Sequence, residues 1–298
     1  MSGLGTNYVF AFNDWLFGGP GQGVQILDID GLEDLPSIRV QDDNRGYQDG
    51  MFTGRDFLDG RYITMHLQIM SDANASMFDY LAQLKTNLIP QQYGTGTLQF
   101  TLPGRATQRI SARVRKRVLT IDPNYTYGKA LASIQLFCPD PRIYDDTLLS
   151  ASLSTFGDLG RTYGTSPSYS GFTYGASPYL GWTYGTTITG YAPRYANLTN
   201  SGNTASYPII TIQGPCTNPS VTQGGNFLTI NTTLGAADIA TIDTLNRTVD
   251  INGIPSRNLL TTASRWFNLA PGTSTVGYSA SSATSASTAI FTWRNAYI

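Results

Sequence analysis

The chain has 298 residues, room for two domains of ordinary size, and carries 19 Lys+Arg against 20 Asp+Glu for a formal net charge of −1. Only 13% of its residues are charged, about half the ordinary share of a globular protein. The whole chain thus lacks the basic footprint with which nucleic-acid binders displace counterions from phosphate, and direct nucleic-acid binding is not expected.

The type of charge is as informative as the amount. Glu33 is the sole glutamate, and Lys85, Lys116 and Lys129 are the only lysines. Those two residue types populate exposed helix faces, so their scarcity argues against helices. The 31 glycines and 15 prolines, with abundant Thr, Tyr, Val and Ile, favour strands and turns. An all-β chain is expected. No charged-then-apolar leader opens it, so no signal peptide is expected. No apolar run approaches the roughly 18 residues of a membrane span. Cys138 and Cys216 are too far apart for a CxxC element, so neither a disulfide framework nor structural zinc is anticipated. Asn-x-Ser/Thr sequons at Asn74, Asn124, Asn197, Asn231 and Asn246 read as chance in a Thr-rich chain.

In chain order, Arg61 to Met70 gives the first clear element. Ile63, Met65, Leu67 and Ile69 alternate with Tyr62, Thr64, His66 and Gln68, the pattern of a half-buried strand. Asp59-Gly60 precedes it, a tight-hairpin signature that makes Phe52 to Leu58 the expected partner strand. One helix follows, capped by Asp72, striped by Met77, Leu81, Leu84 and Leu88, and ended by Pro90. Strands are expected again at Gly96 to Leu102, Arg109 to Ile121 and Lys129 to Phe137. The result is one helix laid on an antiparallel sheet.

From Leu159 onward charge nearly vanishes: six arginines and three aspartates remain. Gly160-Arg-Thr-Tyr-Gly-Thr-Ser-Pro167 is echoed by Gly171-Phe-Thr-Tyr-Gly-Ala-Ser-Pro178 and by Gly181-Trp-Thr-Tyr-Gly-Thr186. This period is shorter than the roughly 20 to 50 residues of a solenoid or propeller unit, so the segment reads as an insertion or linker. Beyond it, short strands are expected at Pro208 to Gln213, Asn226 to Asn231, Asp238 to Asp243, Arg247 to Ile251, Trp266 to Leu269, Ser274 to Ser279 and Ala289 to Trp293. Their spacing is that of a β-sandwich, with Asn252-Gly253 and Pro271-Gly272 as turn signals. The expected domains are residues 1–155, a Gly/Tyr-rich segment at 156–195, and residues 196–298.

No set of catalytic residues emerges, and no catalytic, cofactor or metal site is expected. His66 is the one histidine and lies on the polar face of its strand without a nucleophile elbow in the chain. The adjacent pairs Asp42/Asp43 and Asp145/Asp146 point to opposite sides of a strand, unlike the facing carboxyls of a glycosidase. Asp28 and Asp30 share a strand face but lack a third ligand within sequence reach. Gly18-Gly-Pro-Gly-Gln-Gly23 lacks the Lys-Ser/Thr of a phosphate loop and reads as a turn. The basic cluster Arg105, Arg109, Arg113, Arg115, Lys116 and Arg117 is expected to put Arg109, Arg113, Arg115 and Arg117 on one strand face. With net charge near zero, that face suits carboxylates of the 28–59 segment or of a neighbouring subunit better than phosphate. The repeat's aromatics (Tyr163, Phe172, Tyr174, Trp182, Tyr184) suit a protein interface, with carbohydrate stacking as the alternative.

Several elements together resemble a known family. Cys138-Pro-Asp-Pro-Arg-Ile-Tyr144 resembles the DPR-aromatic element that closes the first domain of siphophage distal tail proteins. Asn200-Ser-Gly-Asn203, Tyr207-Pro-Ile-Ile-Thr-Ile-Gln-Gly-Pro215, Asp243, Asn246-Arg-Thr-Val249, Asn252-Gly253, Leu269-Ala-Pro-Gly272 and Phe291-Thr-Trp-Arg-Asn-Ala-Tyr297 follow in the family's order. They are similar to those of actinobacteriophage-type minor tail proteins. The resemblance implies a tail-tube-like β-barrel or sandwich domain with one helix, then a galectin-like β-sandwich. It further implies a hexameric ring at the tail tip of a virion, synthesised in the host bacterial cytoplasm. The implied partners are other copies of the chain, the tail tube protein, the tail hub protein, the tape measure protein and receptor-binding proteins. A structural, non-enzymatic role follows, with a carbohydrate-binding module used in host attachment as the alternative; a hydrolase is the reading that the residues favour least.

Overall fold

Two runs of alternating side chains set the first sheet. The computed structural model describes residues 8–155 and 194–298, apart from Pro20, Ala73 and Ser285; the Gly/Tyr-rich repeat lies outside them. The chain divides into two units, Met1–Thr147 with Ala296–Ile298, and Leu148–Asn295. The first holds β1 (Val9–Phe12), β2 (Trp15–Phe17), β3 (Val24–Asp30), four two-residue strands β4 (Ile38–Arg39), β5 (Asp43–Asn44), β6 (Met51–Phe52) and β7 (Phe57–Leu58), and then β8 (Arg61–Met70). Helix α1 (Met77–Asn87), β9 (Gly96–Thr101), β10 (Gln108–Thr120), β11 (Lys129–Cys138) and β12 (Ile143–Asp145) complete it. The main strand order is β2-β1-β9-β10-β11-β8-β3, all antiparallel. This path is open at both ends, so among the described residues the sheet does not close into a barrel.

Ile63, Met65, Leu67 and Ile69 of β8 are each 0% exposed, and Ile134 and Leu136 of β11 face the same core. Burying each such side chain contributes about 1.5–3 kcal/mol. Met77, Leu81, Leu84 and Leu88 of α1 cover that face, as their spacing predicts. The helix starts later than Asp72, however. Ser76 is the N-cap, in a reciprocal capping box with Asp79. Asp72 instead accepts from the N–H groups of Asn74 and Ala75 and from the Tyr80 hydroxyl, organising the turn before the helix.

The partner expected for β8 is not the one found. Its neighbours are β3 and β11, whereas β7 pairs with β4 and β6 with β5. Neither Asp59 nor Gly60 takes the positive φ of a two-residue hairpin turn. Gly60 serves close approach: a Cβ there would stand 2.5 Å from Phe137 Cε2 and 3.0 Å from the Cys138 carbonyl. Residues 31–60 therefore leave the sheet as a long two-stranded arm and return.

The second unit contains β13 (Leu149–Ser154), β14 (Tyr195–Asn200), β15 (Ile209–Gln213), β16 (Cys216–Thr217), β17 (Ser220–Gln223), β18 (Asn226–Thr229), β19 (Thr233–Leu234) and β20 (Ile239–Asp243). It continues with β21 (Thr248–Ile251), β22 (Ile254–Pro255), β23 (Gly272–Ser279), β24 (Ser282–Ala283) and β25 (Thr288–Trp293). β13-β25-β15-β20-β21-β22 form one sheet and β14-β23-β17-β18 another, with a small sheet of β19-β16-β24. Ile210, Ile212, Ile242 and Phe291 of the larger sheet and Leu198, Val221, Leu228 and Val276 of the other share one core, the arrangement of a sandwich. The Asn252-Gly253 turn signal is realised, with φ of 53° and 80° between β21 and β22. Trp266 to Leu269 is not a strand; it makes a single bridge, Ser206 to Leu269. The last strand, β26 (Ala296–Tyr297), belongs to the first unit and pairs there with β12. Replacing Ser76 with Ala is expected to cost about 1 kcal/mol of stability in urea denaturation, with a smaller loss for Asp72→Ala; a larger loss at Asp72 would contradict the cap assignment.

Candidate functional site

The chemistry of the first unit concentrates where β8 begins. Arg61 has the parity of Ile63 and Met65, which puts a charged side chain on the core side of the strand, only 3% exposed. A buried guanidinium must be satisfied by acceptors. Here Nη1 donates to the carbonyls of Gly31 (3.0 Å), Leu32 (2.6 Å) and Asp34 (2.7 Å), and Nε donates to that of Pro141 (3.2 Å). Burial lowers its pKa, while Cys138, Asp34 and Glu33 oppose that shift. Arg61 thereby ties the root of the arm, the start of β8 and the Pro-Asp-Pro-Arg segment into one junction.

That segment has its own hub. Asp140 accepts from the Arg142 guanidinium at 2.8 Å and from the Tyr144 hydroxyl at 2.6 Å. Burial, reinforced by Asp140, pushes the Tyr144 phenol well above its ordinary range. Cys138 is fully buried, and burial pushes its thiol up to about 12, with Arg61 pulling the other way. An inert, protonated thiol fits a packing role.

The residues weighed from sequence stay apart. His66 Nε2 lies 4.0 Å from Asp28 Oδ1, both side chains largely exposed. Asp28 and Asp30 follow a bulge in β3 between Ile26 and Asp28 and lie opposite His66 and Thr64. Among the described residues no three His, Cys, Asp or Glu side chains converge as metal ligands. Asp42 accepts from the Gly54 N–H within the arm. Asp146 lies 3.6 Å from Arg109 and accepts from Gln99, and Asp145 accepts from the Tyr297 hydroxyl.

The basic cluster is real but does not form one face. A bulge between Val114 and Lys116 shifts the register of β10, placing Arg113 opposite Phe137 and Arg117 opposite the buried Ile134. Directly opposed residues of an antiparallel pair share a face, so these two arginines lie on opposite faces. Arg117 donates to the carbonyls of Leu84, Lys85 and Leu88, where the helix C-terminus favours a cation. Arg113 donates to Gln91 and Gln92, Arg115 lies over the Phe137 ring at 4.9 Å, and Arg105 forks onto Glu33 at 2.8 and 2.9 Å. None of the four arginines expected on one face forms an ion pair with a 28–59 carboxylate among the described residues; Arg105, outside that face, pairs with Glu33.

The motif residues of the second unit form a second junction. Asn200, fully buried, donates to the Thr204 and Leu269 carbonyls. Trp293 Nε1 donates to the Thr199 carbonyl, Asn295 accepts from the Ser201 N–H, and the Ser206 hydroxyl donates to the Arg294 carbonyl. Asp243 accepts from the N–H groups of Leu245 and Asn246, closing the turn in which Arg247 takes φ 55°. These hydrogen bonds tie loops to the strands of the sandwich.

Arg61 is the buried charged side chain that sequence reading missed, although its parity in an alternating strand marked it as a charge on the core face. Arg61→Met keeps the buried volume but leaves the arm-root carbonyls without donors. It is expected to destabilise the protein by roughly 2–4 kcal/mol. A urea midpoint within about 0.5 kcal/mol of the parent chain would contradict this role.

No curated protein matches this chain. Among solved structures, the Dit protein of phage SPP1, described as a paradigm of the hub adsorption apparatus in phages infecting Gram-positive bacteria, superposes with TM-score 0.62 at 11% identity, covering 98% of this chain and 99% of that one. That likeness establishes the distal tail protein fold. Two phage p2 baseplate structures in the activated conformation, with Ca and with Sr, give TM-scores of 0.48 and 0.46 at 11% identity, covering 97% and 96% of this chain and 97% of each of theirs. Residues 201–297 match the family model of the siphovirus-type tail component C-terminal domain. The likeness to that family rests on those residues, which lie almost wholly in the second unit, and the likeness of the whole chain to the SPP1 Dit protein is one of fold.

Proposed function

We propose that the chain is a structural subunit of a phage tail tip, forming a hexameric ring that joins the tail tube to the baseplate hub and receptor-binding apparatus. The amino-terminal domain (residues 1–155) makes the ring, residues 156–195 are an insertion or linker, and the galectin-like domain (residues 196–298) presents a platform. Its partners are copies of itself, the tail tube, tail hub and tape measure proteins, and receptor-binding proteins. It is made in the host cytoplasm and acts without enzymatic activity.

The observation that carries this reading is the arm of residues 31–60. Leu35, Val40, Tyr47, Met51 and Phe52 are between 50% and 105% exposed. Two-residue ladders with no layer beneath them are marginal in water alone, so this apolar surface calls for a partner. The charge-poor second half is likewise suited to an assembly, since charge is depleted at interface centres. Native mass spectrometry of the full chain across a concentration series is expected to give a mass near six subunits, with ring-shaped particles by electron microscopy. A strict monomer at every concentration, with no recruitment to isolated tail tubes, would overturn the reading.

A further inference from the structure

At one end of the β14-β23-β17-β18 sheet, neighbouring strands bring hydroxyls side by side. Ser220 of β17 stands opposite Thr229 of β18 and Ser279 of β23. Directly opposed residues of antiparallel strands share a face. Their neighbours along the strands, Val221, Leu228 and Tyr278, are buried in the core, so the hydroxyl row faces outward. Ser220 Oγ and Thr229 Oγ1 are 2.8 Å apart. Together with Asn218, Asn231 and Ser281 the row lines a groove of about 380 Å³, and none of the residues lining it is charged.

The loops around the groove are fixed through their backbones. The Asn218 N–H donates to the Thr232 carbonyl at 2.8 Å, that of Asn231 to Leu259 at 2.8 Å, and that of Ser281 to Thr217 at 2.9 Å. Asn218 holds a φ of 48°, a left-handed conformation that asparagine adopts more readily than most residues. The side chains, by contrast, remain unengaged. Among the described residues Asn218, Asn231, Ser279 and Ser281 form no side-chain hydrogen bond. Amides and hydroxyls that can both donate and accept are thus held on pinned backbone around one groove.

We infer that this groove binds a neutral saccharide. An anion would find no cation in the lining, and a metal ion no carboxylate. An apolar ligand would strip water from the amides and hydroxyls without replacing their hydrogen bonds. A peptide adding as a strand finds the sheet edge taken, because the N–H groups of Thr261 and Arg265 donate to the Thr229 and Phe227 carbonyls of β18 at 3.0 and 2.8 Å. Sugar hydroxyls both donate and accept, as the lining does. The volume lies at the low end of the roughly 300–1,000 Å³ of small-ligand sites, a size that suits a short saccharide. With no aromatic ring in the lining to stack on, a single sugar binds weakly, with a Kd on the order of 1 mM. The inference is independent of the ring reading, since every lining residue belongs to the same chain.

Saturation-transfer difference NMR on the full-length chain tests this, with glucose, galactose, mannose and N-acetylglucosamine as neutral probes and glucuronic acid as the anionic one. Transfer to at least one neutral sugar is expected, and none to glucuronic acid. Two variants with the parent chain's urea midpoint, Asn231→Ala combined with Ser281→Ala and, separately, Ser279→Val, are each expected to weaken that binding at least about fivefold. Thr248→Ala, exposed on the other sheet, is expected to leave it unchanged. No transfer to any neutral sugar would overturn the inference and leave the groove a hydrated surface. Binding that persists at full strength in both groove variants would overturn it as well, and glucuronic acid bound as strongly as the neutral sugars would overturn the assigned ligand class. None of these outcomes bears on the ring reading, which native mass decides.

Discussion

The guanidinium of Arg61 is the constraint on which the first unit depends. A charge taken out of water is costly unless every nearby dipole is aimed at it. Four backbone carbonyls, from Gly31, Leu32, Asp34 and Pro141, meet that requirement and come from two segments far apart in sequence. Each carbonyl would itself be costly to bury unpaired, so the junction forms as a whole or not at all. Because it fixes the point where the arm leaves β3 and the chain re-enters at β8, the presentation of residues 31–60 depends on it. The adjoining Asp140, Arg142 and Tyr144 set gives the Pro-Asp-Pro-Arg sequence a physical meaning: it turns the chain after β11 with its polar groups paired.

The second unit solves the same problem without charge. Asn200 uses its amide to bind two carbonyls while its own oxygen accepts from the Gly202 N–H. Trp293, Asn295 and Ser206 add side-chain-to-backbone bonds around it. Neutral amides and hydroxyls pay far less desolvation than ions, which agrees with the scarcity of charge beyond Leu159. Motif residues that read as a family signature are, in the fold, the pins holding loops to the sandwich.

Much of this was legible from local pattern. Period-two alternation found β8 and β11, a four-residue stripe found the helix, and Asn-Gly found the β21–β22 turn, because each signal is complete within a few residues. The shortfalls are nonlocal or single-residue effects. Phe52 to Leu58 looked like a partner for β8, yet Val24 to Asp30 and Lys129 to Cys138 offered longer ladders and claimed both its edges. A one-residue bulge in β10 carried Arg117 to the helix side, and nothing in the arginine spacing announces a bulge. Asp72 and Ser76 are both competent caps, and the Asp79 carboxylate three residues past Ser76 decides between them.

The assembly is where the physical argument leads, and a cryo-electron microscopy reconstruction of the virion tail, with this chain identified by an epitope tag, tests it most directly. The account predicts six copies in a ring at the distal end of the tube, with the apolar surface of each arm covered. A chain located elsewhere in the particle, or a ring whose arms point free into solvent, would contradict it.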